Sequence, residues 1–195
     1  MTIKQKLLKS VYPIFRVFTK KKEKEILLNL KMKMPLSSFF NLTFCINGGS
    51  DLHFEYLRGK KTLIVNTASD CIYTPQYAEL EKLYQQHKDK LTILAFPSND
   101  FGGQERADDN TIAEFCEKNF NINFPVMKKS IVSKEIGQNE VYEWLTDAEL
   151  NGWNEHVPQW NFSKYLVDEE GVLTHYFDPG VSPLSNEILE AIELV

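Results

Sequence analysis

The 195-residue sequence lacks the features that mark several specialised classes of protein. It contains no run of 18 apolar residues, so no transmembrane helix is predicted. Its three cysteines are an odd number, which argues against a disulfide-stapled secreted fold and favours a reducing, cytoplasmic compartment. Nine glycines and eight prolines are too few for a fibrous or low-complexity chain. The apolar stretch 11–18 is interrupted by Pro13 and Arg16, so export by a signal peptide is not expected.

Cofactor motifs are missing too. The sequence contains no Gly-rich loop of the kinds that bind nucleotides. Its four histidines are scattered without metal-ligand spacing and are His53, His87, His156 and His175. The sequence therefore implies no metal, nucleotide or flavin.

Charge divides the chain into two parts. Residues 1–35 carry ten Lys or Arg and two Glu, a balance of +8, whereas the whole chain has a net charge of -5. The other 160 residues therefore carry -13, so nucleic acid is not an expected partner. We predict a basic N-terminal extension, residues 1–35, and one domain, residues 36–195, with 43% hydrophobic residues in the chain to form its core.

The extension has helical periodicity. One apolar stripe contains Ile3, Leu7, Val11, Ile14, Phe15 and Phe18, with basic residues around it. Two interpretations follow from this pattern. The segment is either a helix packed on the domain, or a basic amphipathic segment in weak contact with an anionic membrane surface or a partner.

The order of elements after residue 36 predicts the fold. Strands are expected at 39–44, 61–67, 91–96, 165–167 and 172–177, the first running into a turn at 47–50 and the last two forming a hairpin. Helices are expected to begin at the N-cap Thr74 and at the capping box of Thr111, and to cover about 139–145 and 183–194. This order indicates an α/β thioredoxin-like fold, a central mixed β-sheet flanked by helices.

Cys71 is the first candidate for chemistry. It follows the 61–67 strand and precedes Thr74, and unpaired N–H groups at a helix N-terminus favour a reactive thiolate. The alternative is a small buried thiol that packs the loop. No second cysteine follows within the same turn, which disfavours dithiol exchange and suits attack of a single thiol on a peroxide.

Three blocks of sequence carry a resemblance. They are residues 65–77 (VNTASDCIYTPQY), 96–105 (FPSNDFGGQE) and 160–168 (WNFSKYLVD). Together they resemble the glutathione peroxidase family, and weaker similarity spans about residues 37–193. The chain departs from the family pattern at Ile72, where a Gly is usual, and at Ser98, where a Cys is usual.

The resemblance implies a catalytic set of four residues. It assigns Cys71 as the peroxidatic residue, with Gln104, Trp160 and Asn161 around it. Their amide and indole N–H groups are neutral donors that can hydrogen-bond a thiolate and orient a peroxide. Taken singly, the last three residues have ordinary alternatives in core packing, a turn or a helix entry.

The resemblance also implies a role for the second thiol. Cys116 matches the family's resolving cysteine, although its helical spacing with Ile112 also fits a buried helix face. Cys45 matches no functional position and is interpreted as structural.

The expected function is that of a thiol peroxidase acting on hydrogen peroxide and organic hydroperoxides. A Cys71 sulfenic acid would be resolved by Cys116 and recycled by a thioredoxin-type dithiol. Glutathione is disfavoured because acidic residues surround Cys71 and Gln104, with Arg106 the only nearby cation in sequence. The alternatives are a thiol-based redox sensor and a non-catalytic thioredoxin-like binding module. A monomer or weak dimer is expected.

Overall fold

A five-stranded mixed sheet forms the centre of the molecule. The computed structural model describes residues 2, 3, 5–8, 10–12 and 25–194. The strands of this sheet lie in the order β1, β7, β6, β4, β5, and a separate hairpin pairs β2 with β3. Their bounds are β1 Ile26–Leu28, β2 Thr43–Cys45, β3 Asp51–His53, β4 Lys61–Thr67, β5 Leu91–Pro97, β6 Lys164–Val167 and β7 Leu173–Phe177.

β4 is the central strand that leads to the site. It pairs in parallel with β5 and antiparallel with β6, and all seven of its residues are buried. Its β-branched and aliphatic run is typical of a strand covered on both faces. The remaining pairs, β6 with β7 and β1 with β7, are antiparallel.

Five helices flank the sheet in the part of the chain from residue 25 onward. They are α1 Gln76–His87, α2 Asp109–Phe120, α3 Glu140–Leu145, α4 Ala148–Asn151 and α5 Asn186–Glu193. Buried residues of α1, α2 and α5 form one core cluster with alternate residues of β4, such as Leu63 and Val65. Ile64 points to the other face, where α3 contributes to a second cluster that includes Trp144. The two clusters follow from the two-residue period of the strand.

The thioredoxin-like prediction is confirmed, and several local predictions differ from the structure. Residues Phe39–Asn41 form a 3-10 helix before β2, because the rings of Phe39 and Phe40 both turn inward, where a strand would place one outward. α1 has Pro75 at its N-cap position, and Thr74 bonds within the preceding turn. The N-cap of α2 is Asp108, whose carboxylate accepts the Thr111 amide at 2.8 Å.

The sheet begins inside the predicted extension. β1 pairs with β7, with Ile26 opposite Phe177 and Leu28 opposite His175. Sheet pairing therefore overrides the boundary that the charge asymmetry suggested near residue 35, since charge does not report on backbone hydrogen bonds.

The described part of the apolar stripe is exposed. Ile3 is 89% exposed and Leu7 is 62% exposed, so neither packs on the domain. Ile14, Phe15 and Phe18 lie outside the described residues. Among the residues that are described, no helix is long and apolar enough to cross a bilayer.

Candidate active site

Cys71 lies in the turn that joins β4 to α1, and its side chain is fully buried. Thr74 holds this turn closed: its hydroxyl accepts the Cys71 amide at 3.0 Å and donates to the Ala68 carbonyl at 2.8 Å. Pro75 has no N–H to satisfy and its fixed φ suits the start of a helix, so α1 begins directly after the turn. The thiol is thus placed at the carboxyl end of β4.

Four donors act on the Cys71 sulfur. The Tyr73 amide approaches it at 3.4 Å, and the Ile72 amide and the Asn161 and Trp160 side chains also donate to it. Burial nevertheless raises the pKa of the Cys71 thiol above its usual value, because desolvation outweighs these donors. Burial thus opposes the thiolate that the helix terminus was expected to favour.

The four residues expected in the site come together. The Asn161 amide, which acts on Cys71, also donates to Gln104 Oε1 at 3.0 Å. Trp160 precedes Asn161 and is 38% exposed, so its ring reaches from the buried thiol to solvent. The structure thus links Cys71 to Gln104 through Asn161, with Trp160 at the mouth of the site.

Asn66 is a site residue that sequence reasoning missed. Its side-chain amide donates to the Trp160 carbonyl at 3.0 Å, and its backbone carbonyl accepts the Phe162 amide at 2.6 Å. Phe162 has a φ of 70°, a left-handed conformation rarely adopted by a bulky residue. Asn66 therefore fixes the backbone on both sides of Asn161. The signal was present in the sequence as one amide inside the apolar run LIVNT.

Glu105 is a second residue that was missed. Its buried carboxylate accepts the Ser69 amide at 2.8 Å and the Ser69 hydroxyl at 2.9 Å. The neighbouring Gln104 carbonyl accepts the Asp70 amide at 3.1 Å. These bonds join the loop that precedes Cys71 to the loop that carries Gln104. Burial raises the pKa of Glu105 from 4.5 to about 7, against the lowering effect of the Ser69 bonds and of Lys129.

The mouth of the site is aromatic. Phe101 packs on Trp160 with ring centroids 5.8 Å apart, and the Cα of Gly102 faces the same indole. A Cβ at Gly102 would lie 3.4 Å from the Trp160 ring, in a backbone with φ of 65°. Glycine therefore allows the loop of Gln104 to approach the indole closely.

The two remaining cysteines lie outside this group. Cys116 is a buried free thiol of α2, and burial raises its pKa to about 12. It shares a core cluster with Cys71 but is not bonded to it, and it also lines an open groove of about 330 Å³ with Ile122 and Phe124. Cys45 is a free thiol of β2, half-buried beside the Gly49 carbonyl.

Charged groups near the site are more mixed than the sequence indicated. Lys129 bonds the Ala107 carbonyl and influences Glu105, so Arg106 is not the only cation on this side. Its amide also donates to Asp109 at 2.8 Å. Lys129 was missed because it is far along the chain. In the part of the chain that the structure describes, no three His, Cys, Asp or Glu side chains form a metal-binding group.

Comparisons with known proteins agree on one family. A family profile described as glutathione peroxidase matches residues 39–146. The chain is 44% identical to glutathione peroxidase-like peroxiredoxin GPX5 of Chlamydomonas reinhardtii, over 78% of this chain and 93% of that protein. It is 40% identical to glutathione peroxidase-like peroxiredoxin HYR1 of Saccharomyces cerevisiae, over 81% of this chain and all of that one.

Solved structures give the same result. A crystal structure of apo Trgpx superposes with a TM-score of 0.61 at 30% identity, covering 82% of this chain and 97% of that one. The crystal structure of T. cruzi GPX1 superposes with a TM-score of 0.60 at 28% identity, covering 80% and 93%. A DsbF homologue of Corynebacterium diphtheriae, 12% identical with a TM-score of 0.61, shares the fold.

Proposed function

The chain belongs to the glutathione peroxidase family and is a thiol peroxidase, and on that premise we propose that Cys71 is its peroxidatic residue. The observation that carries the proposal is the contact of Asn161 with both Cys71 and Gln104. A non-catalytic module has no need of a buried thiol surrounded by neutral donors. Family membership likewise favours the peroxidase over that alternative.

The proposed first step consumes the peroxide. The Cys71 sulfur, after loss of its proton, attacks one peroxide oxygen; the S–O bond forms as the O–O bond breaks. The product is a Cys71 sulfenic acid, and the leaving oxygen takes a proton to become water or an alcohol. Trp160 and Asn161 stabilise the thiolate, and Gln104, held by Asn161, orients the peroxide.

The raised pKa of Cys71 is compatible with this step. A buried thiol stays neutral at rest, and the surrounding donors are worth most when negative charge develops on sulfur. Neutral donors stabilise that charge without a tight ion pair. The site thus favours the transition state of attack over a standing thiolate.

We propose Cys116 as the resolving thiol. Its sulfur attacks the Cys71 sulfenic sulfur, the disulfide forms, and the hydroxyl leaves as water with the thiol proton. We infer that the step involves local unwinding of α2, because both thiols are buried and free in this structure and 45 positions separate them in the chain. Cys116 lies four residues before Phe120, the end of the helix, so opening the C-terminal part of α2 would be sufficient.

A thioredoxin-type dithiol is the proposed reductant. It would reduce the Cys71–Cys116 disulfide by two exchange steps and leave both thiols free again. The acidic residues around the site still disfavour glutathione as the reductant, although the positive charge of Lys129 offsets part of their negative charge. Three free cysteines fit a reducing, cytoplasmic compartment, and a monomer or weak dimer stays the expected assembly.

The first test is peroxide consumption by the purified full chain with thioredoxin and with glutathione. Cys71→Ser should abolish turnover, and Cys45→Ser should retain it because Cys45 lies in β2, away from the four residues of the site. Full activity of Cys71→Ser would contradict the assignment.

The second test separates resolution from oxidation. One equivalent of peroxide should remove two thiols and two hydrogen masses from the wild type. Cys116→Ser should instead gain one oxygen at Cys71 and lose thioredoxin-supported turnover. A wild-type protein that gains an oxygen while Cys116 stays free would overturn the resolving role.

We also propose weak contact between the basic extension and a membrane surface. Its support is the charge of +8 over residues 1–35 and the exposure of Ile3 and Leu7. Binding to anionic vesicles should weaken with salt and with charge reversal of Lys4, Lys6 and Lys9. Equal binding of that variant and the wild type would refute the contact.

A further inference from the structure

A second apolar surface lies outside the site, on the segment that follows β1. Five large apolar side chains are exposed within nine residues and are Leu28 46%, Leu30 84%, Met32 67%, Met34 62% and Leu36 80%. We call residues 28–36 the tip. Single exposed apolar residues are ordinary, whereas five of them at alternate positions of one short segment indicate an interaction surface.

Hydrogen bonds to backbone groups hold the tip in place. The side chain of buried Asn29 donates to the carbonyls of Lys33 at 2.9 Å and Leu173 at 3.2 Å, and it accepts the Lys33 amide at 2.9 Å. The Met32 amide closes a turn onto the Asn29 carbonyl at 3.0 Å, and Met32 has a φ of 48°. The exposure therefore belongs to an ordered turn that presents its apolar side chains to solvent.

Cations alternate with the apolar residues of the tip. Lys31 and Lys33 are exposed, and no Asp or Glu occurs from residue 26 to residue 50. Both lysines line a groove of about 320 Å³ together with Leu28, Leu30 and Trp153. Apolar groups and positive charges thus occur on one surface, which matches the boundary between acyl chains and anionic headgroups.

From these observations we propose that the tip docks onto a lipid bilayer that contains anionic phospholipid. Leu30 and Met32 enter the interface, while Lys31 and Lys33 meet the headgroup phosphates. The inference deepens the membrane contact proposed above; the tip lies at the C-terminal end of the extension, and the inference rests on Leu30, Lys31, Met32 and Lys33, away from Ile3, Leu7 and the lysines at 4, 6 and 9. Protein interfaces are depleted in Lys and enriched in aromatic residues, Met and Arg; residues 28–36 contain two Lys and no aromatic residue or Arg, so the lysines favour the lipid surface.

The register of the sheet separates the tip from the site. The Asn29 amide donates to Thr174 and its side chain to Leu173, and Leu173 pairs with Val167, which pairs with Thr62. Thr62 is at the start of β4, whereas Cys71 follows the end of β4. Docking through the tip therefore leaves the mouth of the site at the far end of the sheet, and turnover of hydrogen peroxide should be the same with and without vesicles.

The test is co-sedimentation of the full chain with vesicles. One vesicle is pure phosphatidylcholine, and the other contains one third phosphatidylglycerol. Leu30→Ser with Met32→Ser, and separately Lys31→Glu with Lys33→Glu, should each reduce binding to the anionic vesicle by about tenfold or more. Matched controls are Ile136→Ser, at a fully exposed apolar residue elsewhere, and Lys82→Glu on α1, and both should bind as the wild type does.

Unchanged binding of both tip variants would overturn the proposal. So would equal binding of the wild type to the two vesicles. A tip variant that only dissociates a dimer, measured by sedimentation velocity without lipid, would identify a second copy as the occupant and likewise overturn it. Charge reversal of Lys4, Lys6 and Lys9 tests the contact through the first residues of the extension. If only that variant loses vesicle binding, docking through the tip is refuted. If only the tip variants lose binding, contact through those three lysines is refuted.

Discussion

Glu105→Gln should change how the stability of the protein depends on pH. The Glu105 carboxyl is fully buried, and burial raises its pKa from 4.5 to about 7. Between these values the folded protein binds one more proton at this site than the unfolded chain does. Stability contributed by this group is therefore complete below pH 4.5 and is lost as pH rises toward 7.

The magnitude follows from the difference between the two pKa values. One unit corresponds to 1.36 kcal/mol, so the full shift corresponds to about 3 kcal/mol. About 2 to 3 kcal/mol of this contribution to the free energy of unfolding should be lost between pH 5 and pH 8, a range that can be measured. Glutamine keeps the shape and an oxygen that can accept from Ser69, but it does not titrate.

Urea unfolding at a series of pH values is the assay. The free energy of unfolding of the wild type, minus that of Glu105→Gln, should fall by about 2 to 3 kcal/mol from pH 5 to pH 8. Titration of other groups cancels in this difference. Ser69→Ala, measured with and without Glu105→Gln, provides a control: loss of a bond that lowers the folded-state pKa of Glu105 should extend the fall to higher pH, while its start near pH 4.5 stays the same. A difference independent of pH would refute the assignment of a buried, titrating carboxyl.

Two further predictions test the contacts that support the fold and the site. Gly152→Ala should destabilise the protein by about 3 kcal/mol or more in urea unfolding, because the new Cβ would overlap the Met34 carbonyl at a left-handed φ of 94°. Gly48→Ala, with a φ of 70° and open space around the Cβ, should cost only about 1 kcal/mol, and equal losses would contradict the overlap. Thr74→Val should cost about 1 to 3 kcal/mol and slow peroxide oxidation of Cys71, since the turn that places the thiol beside its donors loses two buried hydrogen bonds; an unchanged oxidation rate would show that the turn is held by other contacts.

The strands of the central sheet were predictable because buried strands consist mainly of β-branched and aromatic residues. β4, β5 and the β6–β7 hairpin fall within a few residues of their predicted bounds. Each is a β-branched or aromatic run between turn residues, and that signal is local.

Elements fixed by distant partners were not predictable in the same way. β1 has only three residues, and it is a strand because it pairs with β7, about 150 positions later in the chain. The bonds of Thr74 also depend on Ala68 across a turn, whereas the local pattern favoured a helix cap. A distant pairing thus defines β1, whereas the Thr74 bonds lie within six residues and form a local turn that the helix-cap pattern did not distinguish.

The candidate site was predicted through its resemblance, and its supports were not. The side chains of Asn66 and Glu105 touch residues more than 30 positions away, so neither pattern nor spacing indicates their partners. The effect of burial on the Cys71 pKa was missed for a related reason. Sequence places the thiol beside a helix terminus, but only the packed structure shows how completely it is buried.

The two edges of the central sheet bear on how the protein resists aggregation. At one edge, residues 125–127 cover β5, with the Met127 amide donating to Ala95 at 2.8 Å. At the other, β1 covers β7 and is itself only three residues long, which leaves little backbone for another chain to pair with. A chain trimmed to begin at Leu36 would remove that cover and expose β7 along its length. The short strand that precedes the tip thus keeps the sheet from acting as a template for its own copies.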